Sequence, residues 1–208
     1  MTKSIAMVDY GMGNLRSVIN AFEHVGANVI VTDNPEGLRQ AAGIVVPGQG
    51  AFRDCMKCLR ERNFLAVLTD EVIKNKKPYL GICLGLEILA DTSYEGGEWA
   101  GLGWVKGVVK KLVLPAKYKV PHLGWNEVNI KEPGGLFKDI PNQACFYFAH
   151  SYYLAPKSRN GVAAWCDYGI KFAAAVEIDN IWAVQFHPEK SQQVGLQVIK
   201  NFGERVDG

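Results

Sequence analysis

The chain has 208 residues, 48% hydrophobic and 21% charged, and carries a net charge of +2 from 23 basic and 21 acidic side chains. This is the composition of a soluble globular protein, and a single domain over residues 1–208 is expected, since that length buries most of its apolar surface in one core. The balanced charge gives no footprint for nucleic acid, and the densest basic stretch, Lys106 to Lys111, reads as a solvated strand face. No apolar run approaches the roughly 20 residues that cross a bilayer, and the N-terminus turns polar too early for a signal peptide. Five widely spread cysteines do not form a secreted disulfide framework, so a reduced cytoplasm is expected.

In chain order, Ser4–Tyr10 reads as a buried strand ending at Gly11-Met12-Gly13-Asn14. Leu15, Val18, Ile19, Phe22 and Val25 then recur at helical spacing up to Gly26. Ala27–Thr32 and Gly43–Val46 are strands, the latter closed by Pro47-Gly48-Gln49-Gly50. Ala51 to Lys76 is helical with a break near Arg62-Asn63, Pro78–Ile82 is a strand, and a helix is expected from Leu84 to Ala90. Such alternation predicts a parallel sheet flanked by helices. The second half changes texture. Leu102–Leu114, Trp125–Ile130, Ala144–Ala149, Val162–Cys166, Phe172–Glu177 and Trp182–Phe186 read as strands between turn signals, and a last helix runs from about Gln192 to Phe202. The expected fold class is α/β, an open, mixed, mostly parallel central sheet with flanking helices and an antiparallel extension.

Gly81-Ile82-Cys83-Leu84-Gly85 joins a strand directly to a helix. It is the thiol counterpart of the Gly-x-Ser-x-Gly elbow, a tight turn that projects a nucleophile at the carboxyl ends of the strands. Glycines two residues to either side remove Cβ atoms from the crowded turn. The helix N-terminus beneath the sulfur is expected to lower its pKa and to offer N–H groups to an oxyanion. A buried structural cysteine is the plain alternative. Cys55 and Cys58 form a CxxC at helical spacing without a second ligand pair nearby, so they read as structural; neither metal nor cofactor is expected.

A thiol nucleophile needs a base, and the base needs an orienter. Of four histidines, His24 sits near a helix end, and His122 and His150 lie where loops enter strands. His187, in Gln185-Phe186-His187-Pro188-Glu189, follows a strand and falls on the edge where the elbow lies. Pro188 turns the chain, so that Glu189 points back at the imidazole.

The elbow at Gly81–Gly85 combined with His187-Pro188-Glu189 resembles the class I, or triad, glutamine amidotransferases, whose fold is flavodoxin-like. Further segments resemble, within that class, the glutaminase subunits of imidazole glycerol phosphate synthases: Asp9–Asn14, Val46–Phe52, Pro121–Asn126, Tyr147–Tyr152 and Val184–Ser191. The resemblance implies that Cys83 attacks the side-chain amide of glutamine, His187 protonates the departing ammonia, and Glu189 orients His187. It places the oxyanion at the backbone N–H of Leu84 and at a second N–H from the Gln49-Gly50 strand. That strand is expected to flip when a partner holds its substrate, a motion its glycines make easy. For substrate binding it implies Gly50, Glu87, Glu95 on the α-amino group, and His150, Ser151 and Tyr152 along the pocket. For the partner interface it implies Asn14, Trp125, Tyr147 and Lys190. The partner would be a separate cyclase of (β/α)8-barrel type acting in histidine biosynthesis, and the chain's end at Gly208, with no synthase domain after it, fits that expectation.

Two positions depart from the family pattern. Glu87 stands where Gln is usual, and a carboxylate there could repel the α-carboxylate of glutamine, accept backbone N–H bonds, or be protonated if buried. Ser93-Tyr94-Glu95 replaces Ser-Glu-Glu, keeping the second acid. The alternatives are a paralogue that supplies ammonia to another acceptor, such as a surface-sugar amidination system, and a stand-alone thiol hydrolase or catalytically dead module on the same fold. The intact Cys83, His187 and Glu189 argue against the dead module.

Overall fold

The computed structural model describes residues 3–208; Met1 and Thr2, where the N-terminal reading begins, lie outside the described residues. In chain order the elements are β1 (Ser4–Val8), α1 (Leu15–His24), β2 (Asn28–Thr32), α2 (Glu36–Gln40), β3 (Gly43–Gly48), α3 (Phe52–Glu61), α4 (Phe64–Leu68), a wide helical turn at Thr69–Lys74, and β4 (Tyr79–Cys83). Next come α5 (Leu84–Glu87), β5 (Ala90–Ser93), β6 (Trp99–Ala100), β7 (Val105–Lys111), β8 (His122–Ile130), β9 (Cys145–His150), β10 (Tyr152–Pro156), β11 (Val162–Asp167), β12 (Lys171–Ile178), β13 (Ile181–Val184) and α6 (Gln192–Asp207).

A nine-stranded sheet runs β2-β1-β3-β4-β13-β12-β11-β8-β9. From β2 to β13 the pairings are parallel. From β13 to β9 they are antiparallel. The parallel strands are apolar on both faces because helices cover both. Within β1, Ile5 and Met7 join the cluster of Phe22 and Phe202 from α1 and α6, while Ala6 and Val8 join that of Phe52, Leu59 and Phe64 from α3 and α4. A smaller sheet, β10-β7-β5-β6, flanks this framework.

Several boundaries move from the sequence reading for identifiable reasons. The helix after the elbow stops at Glu87 instead of running to Ala90. The backbone carbonyls of Ile88, Leu89 and Ala90 are taken by the N–H groups of Leu102, Val105 and Gly103, which pulls the chain into β5. The strand before His187 closes at Val184, two residues short of Phe186. In the other direction, β3 runs on through Pro47 and Gly48, and Gly48 pairs in register with Cys83. The break expected near Arg62-Asn63 is there, with Asn63 left-handed at φ 60°.

Candidate active site

The elbow residue Cys83 joins β4 to α5 at φ 54° and ψ −104°. This is a conformation a side-chain-bearing residue adopts only when its surroundings impose it, at a cost of about 1–3 kcal/mol. The surroundings are the neighbouring glycines. A Cβ on Gly81 would collide with the carbonyl of Gly85, and one on Gly85 with the carbonyl of Val46 on β3. Helix α5 can therefore sit directly on the sheet. The sulfur points into a cavity of about 400 Å³ that Glu87, Glu95, His150, Ser151, Tyr152 and His187 also line.

His187 reaches that cavity by a clipped loop. Its N–H donates to the Tyr147 carbonyl (2.8 Å), and its own carbonyl accepts from Ser191 Oγ (2.6 Å). Ser191 Oγ in turn accepts from the Tyr147 N–H (3.0 Å). His187 Nδ1 lies 2.9 Å from Glu189 Oε1, with both side chains almost fully buried. With the carboxylate as acceptor, Nδ1 carries the proton and Nε2 is left for the cavity. Glu189 Oε2 has no hydrogen-bond partner among the described residues. Nor does a hydrogen bond join Cys83 Sγ to the His187 ring among those residues; the sulfur's side-chain contact is Gln185 Nε2 at 3.9 Å. Apo active sites often leave such contacts to tighten on substrate binding.

The thiol itself corrects an expectation. Burial, then the charges of Glu87 and Glu189, push the Cys83 pKa up, against the lowering effect of the Leu84 N–H and the Gln185 amide. A helix of four residues supplies too little dipole to outweigh that desolvation. The Leu84 N–H does face the sulfur, where an oxyanion donor is required. Gln49 and Gly50 line the same cavity, Gly50 with a left-handed φ of 107°. Beneath them the Tyr10 hydroxyl donates to the Pro47 carbonyl (3.0 Å) and fills the space a Cβ on Gly48 would need.

Glu95 Oε2 accepts the Phe52 N–H (2.7 Å) at the start of α3, which fixes this acid at the cavity wall. Both ring nitrogens of His150 are engaged within the protein. Its Nδ1 donates to the Tyr152 carbonyl (2.7 Å), so Nε2 accepts from His122 Nδ1 (3.0 Å), and His122 Nε2 accepts from Asn126 (3.4 Å). The His122 ring is stacked between Tyr168 and Phe148. Burial holds both imidazoles neutral, lowering His150 to about 3 and His122 to about 4. Glu87 is buried on α5, accepts Gln185 Nε2 at 2.9 Å, and is pushed by burial up to about 8.

Tyr147, which lines the cavity, is met edge-on by the half-exposed Trp125, with ring centroids 6.0 Å apart. Lys190 Nζ lies 5.7 Å over the Tyr147 ring. Asn14 is not in this group; it is exposed at the start of α1, its amide on Ser17 Oγ (3.2 Å), behind the Gly48–Gln49 strand. Sequence reasoning missed Gln185, Ser191, Tyr10 and the His122–Asn126 link. The signal for Gln185 was present: two residues before His187 in an extended segment, it falls on the same face. Among the described residues no group of three or more His, Cys, Asp or Glu is arranged to hold a metal ion.

A family model described as "Glutamine amidotransferase class-I" matches residues 6–206. The chain is 48% identical over 204 residues to the imidazole glycerol phosphate synthase subunit HisH of Moorella thermoacetica, covering 98% of this chain and 96% of that one. It is 47% identical to the protein of the same name from Geobacter sulfurreducens, covering 98% and 99%. It is 44% identical to the subunit HisH 1 of Campylobacter jejuni subsp. jejuni, covering 95% and 98%. Among solved structures it superposes on a glutamine amidotransferase with a TM-score of 0.74 at 19% identity (97% and 98% covered). It superposes on PurLQS from Thermotoga maritima with a TM-score of 0.72 at 18% identity (99% and 98% covered), which is likeness of fold.

Proposed function

The chain belongs to the class-I glutamine amidotransferase family, and from that premise we propose that it is the glutaminase subunit of an imidazole glycerol phosphate synthase, hydrolysing glutamine and passing ammonia to a cyclase subunit. The observation that carries the chemistry is the convergence on one cavity of Cys83, strained at its elbow, and the His187–Glu189 pair at 2.9 Å.

In this reading His187 Nε2 takes the Cys83 proton as the sulfur attacks the side-chain carbonyl carbon of glutamine. The oxyanion is received by the Leu84 N–H and by a second N–H from Gln49 or Gly50. His187 returns the proton to the leaving nitrogen, ammonia departs, and a γ-glutamyl thioester remains on Cys83. Water, deprotonated by His187, then releases glutamate. Glu189 holds the tautomer that leaves Nε2 on the cavity side. Glu95, fixed by the Phe52 N–H, supplies the carboxylate for the substrate ammonium, and Gly50, Glu87, His150, Ser151 and Tyr152 complete the pocket. Trp125, Tyr147 and Lys190 form the face toward a (β/α)8-barrel cyclase, and Asn14, which stands apart from them behind the Gly48–Gln49 strand, is assigned to that interface by the resemblance alone. No helix among the described residues is long and apolar enough to cross a membrane, and reduced thiols suit a cytoplasmic setting.

Hydroxylamine supplied in place of water tests the covalent step. The wild-type chain should convert glutamine to γ-glutamyl hydroxamate and Cys83→Ala should not; equal yields from both would remove Cys83 from the reaction.

A further inference from the structure

Gln185 is wholly buried, yet its amide is only half used. One end, Nε2, faces two acids, Cys83 Sγ at 3.9 Å and Glu87 Oε1 at 2.9 Å. The other end, Oε1, is buried with no partner among the described residues. A buried amide with an orphaned acceptor is costly to folding, whereas an apolar side chain of the same length would not be. Stability therefore does not account for glutamine at this position. What the amide does is join the nucleophile, at the end of β4, to Glu87, at the end of α5.

We propose that Gln185 is a positioning residue for the Cys83 nucleophile, and that by bridging Cys83 to Glu87 it couples the ionisation of the two. This deepens the glutaminase reading, since it rests on Cys83 being the nucleophile. The amide N–H donates to the sulfur and is worth most when the sulfur is a thiolate, because hydrogen bonds to charged acceptors are the stronger ones. Glu87 anchors the amide in that orientation. Two buried acids that share one neutral donor hold a single negative charge more easily than two, so a charge on Glu87 opposes the thiolate and a thiolate opposes the charge on Glu87.

The groups around Glu87 fit this arrangement. Cys83 from β4 and Cys55 from α3 both feel its charge, Glu95 beyond β5 opposes its ionisation, and Glu189 adds to the negative field at the sulfur. Tyr79 of β4 directs its hydroxyl to the Gly85 carbonyl. Tyr152 of β10 and Lys190 line the cavity on which Glu87 opens. Glu87 forms no ion pair among the described residues, and burial already favours its protonated form.

The test is the pH dependence of Cys83 alkylation by iodoacetamide, read by peptide mass spectrometry so that the exposed Cys145 is scored separately. Glu87→Gln keeps the size and removes the charge. At a separation of order 7 Å and an effective dielectric near 20, it should lower the alkylation midpoint by about 1–2 pH units. Gln185→Met keeps the length and removes the donor. It should raise the midpoint by about one unit, a roughly tenfold loss of thiolate at fixed pH, and lower kcat for glutamine hydrolysis with KM nearly constant. An unchanged midpoint in Gln185→Met that remains folded overturns the proposal, as does an unchanged midpoint in Glu87→Gln. If Gln185→Met does not fold, Gln185→Leu and the Glu87→Gln arm carry the same test. Alkylation requires no glutamine turnover. Variants that show these shifts, in a chain whose wild type releases no glutamate, would sink the glutaminase reading and leave the bridge standing.

Discussion

Replacing Ser191 by Ala should damage the enzyme twice, and the two effects can be measured separately. Ser191 occupies the residue before α6, a position where a hydroxyl usually caps the helix, but here it makes no such bond. The hydroxyl instead clips two segments together, donating to the His187 carbonyl at 2.6 Å and accepting the Tyr147 N–H at 3.0 Å, in a site with no solvent exposure. The His187 carbonyl keeps a second donor, the Lys190 N–H at 3.0 Å, so its loss is partial. The Tyr147 N–H loses its acceptor outright, and a stranded buried donor costs about 1–3 kcal/mol. A total near 2 kcal/mol is expected, and for a chain of this length that lowers Tm by about 4–8 °C. The clip also sets where the imidazole stands. A displacement of order 1 Å at a catalytic base costs up to about 10²-fold, so kcat for glutamine should fall about 10- to 100-fold with a smaller change in KM. Calorimetry and steady-state glutamate release on the same preparation provide both numbers. A variant that loses the expected Tm but keeps wild-type kcat would show that the clip supports the fold without positioning His187, and the argument would be wrong.

Gly85→Ala should cost at least about 1–3 kcal/mol and lower Tm accordingly, because the new methyl meets the Val46 carbonyl on β3; a wild-type Tm would mean that α5 is not seated against the sheet as described. The neutral pair of His122 and His150 predicts an acid-sensitive fold. The unfolded chain takes up these protons from about pH 6.5, whereas the folded chain resists down to about 4 for His122 and about 3 for His150. Their contribution is thus complete above pH 6.5 and is lost as the pH falls toward 4. His122→Phe removes one of the two titrations, so Tm should fall less steeply between pH 6.5 and 4 than in the wild type; parallel curves would refute the assignment.

The parts of the molecule that follow from local pattern were legible in the sequence. The parallel strands are short β-branched runs, the elbow is a five-residue signature, and the helix break expected near Arg62-Asn63 is present at Asn63. What was lost depended on distant partners. The pattern from Leu84 to Ala90 is helical in sequence, but pairing with residues 101–105 claims the backbone beyond Glu87. The strands at Trp99–Ala100 and Tyr152–Pro156 exist because β5 and β7 offer them edges. At the site, residue types gave Cys83, His187 and Glu189, while the burial that raises the thiol pKa could be seen only with the packing in place. The clip by Ser191 and the bridge by Gln185 join segments 44 and 102 residues apart, a separation no local pattern reports.

A glutaminase built on Cys83 and governed by a cyclase partner should be nearly idle until that partner is loaded. The measurement is glutamate release from glutamine by the purified chain, alone and then with the cyclase subunit and its nucleotide acceptor. Expected are weak release by the chain alone, a rise of about 10²–10³-fold in the loaded complex, as one oxyanion donor is worth, and none in either state for Cys83→Ala. Release by Cys83→Ala at the wild-type rate would contradict the assignment of the nucleophile, and full activity in the isolated chain would contradict its control by a partner.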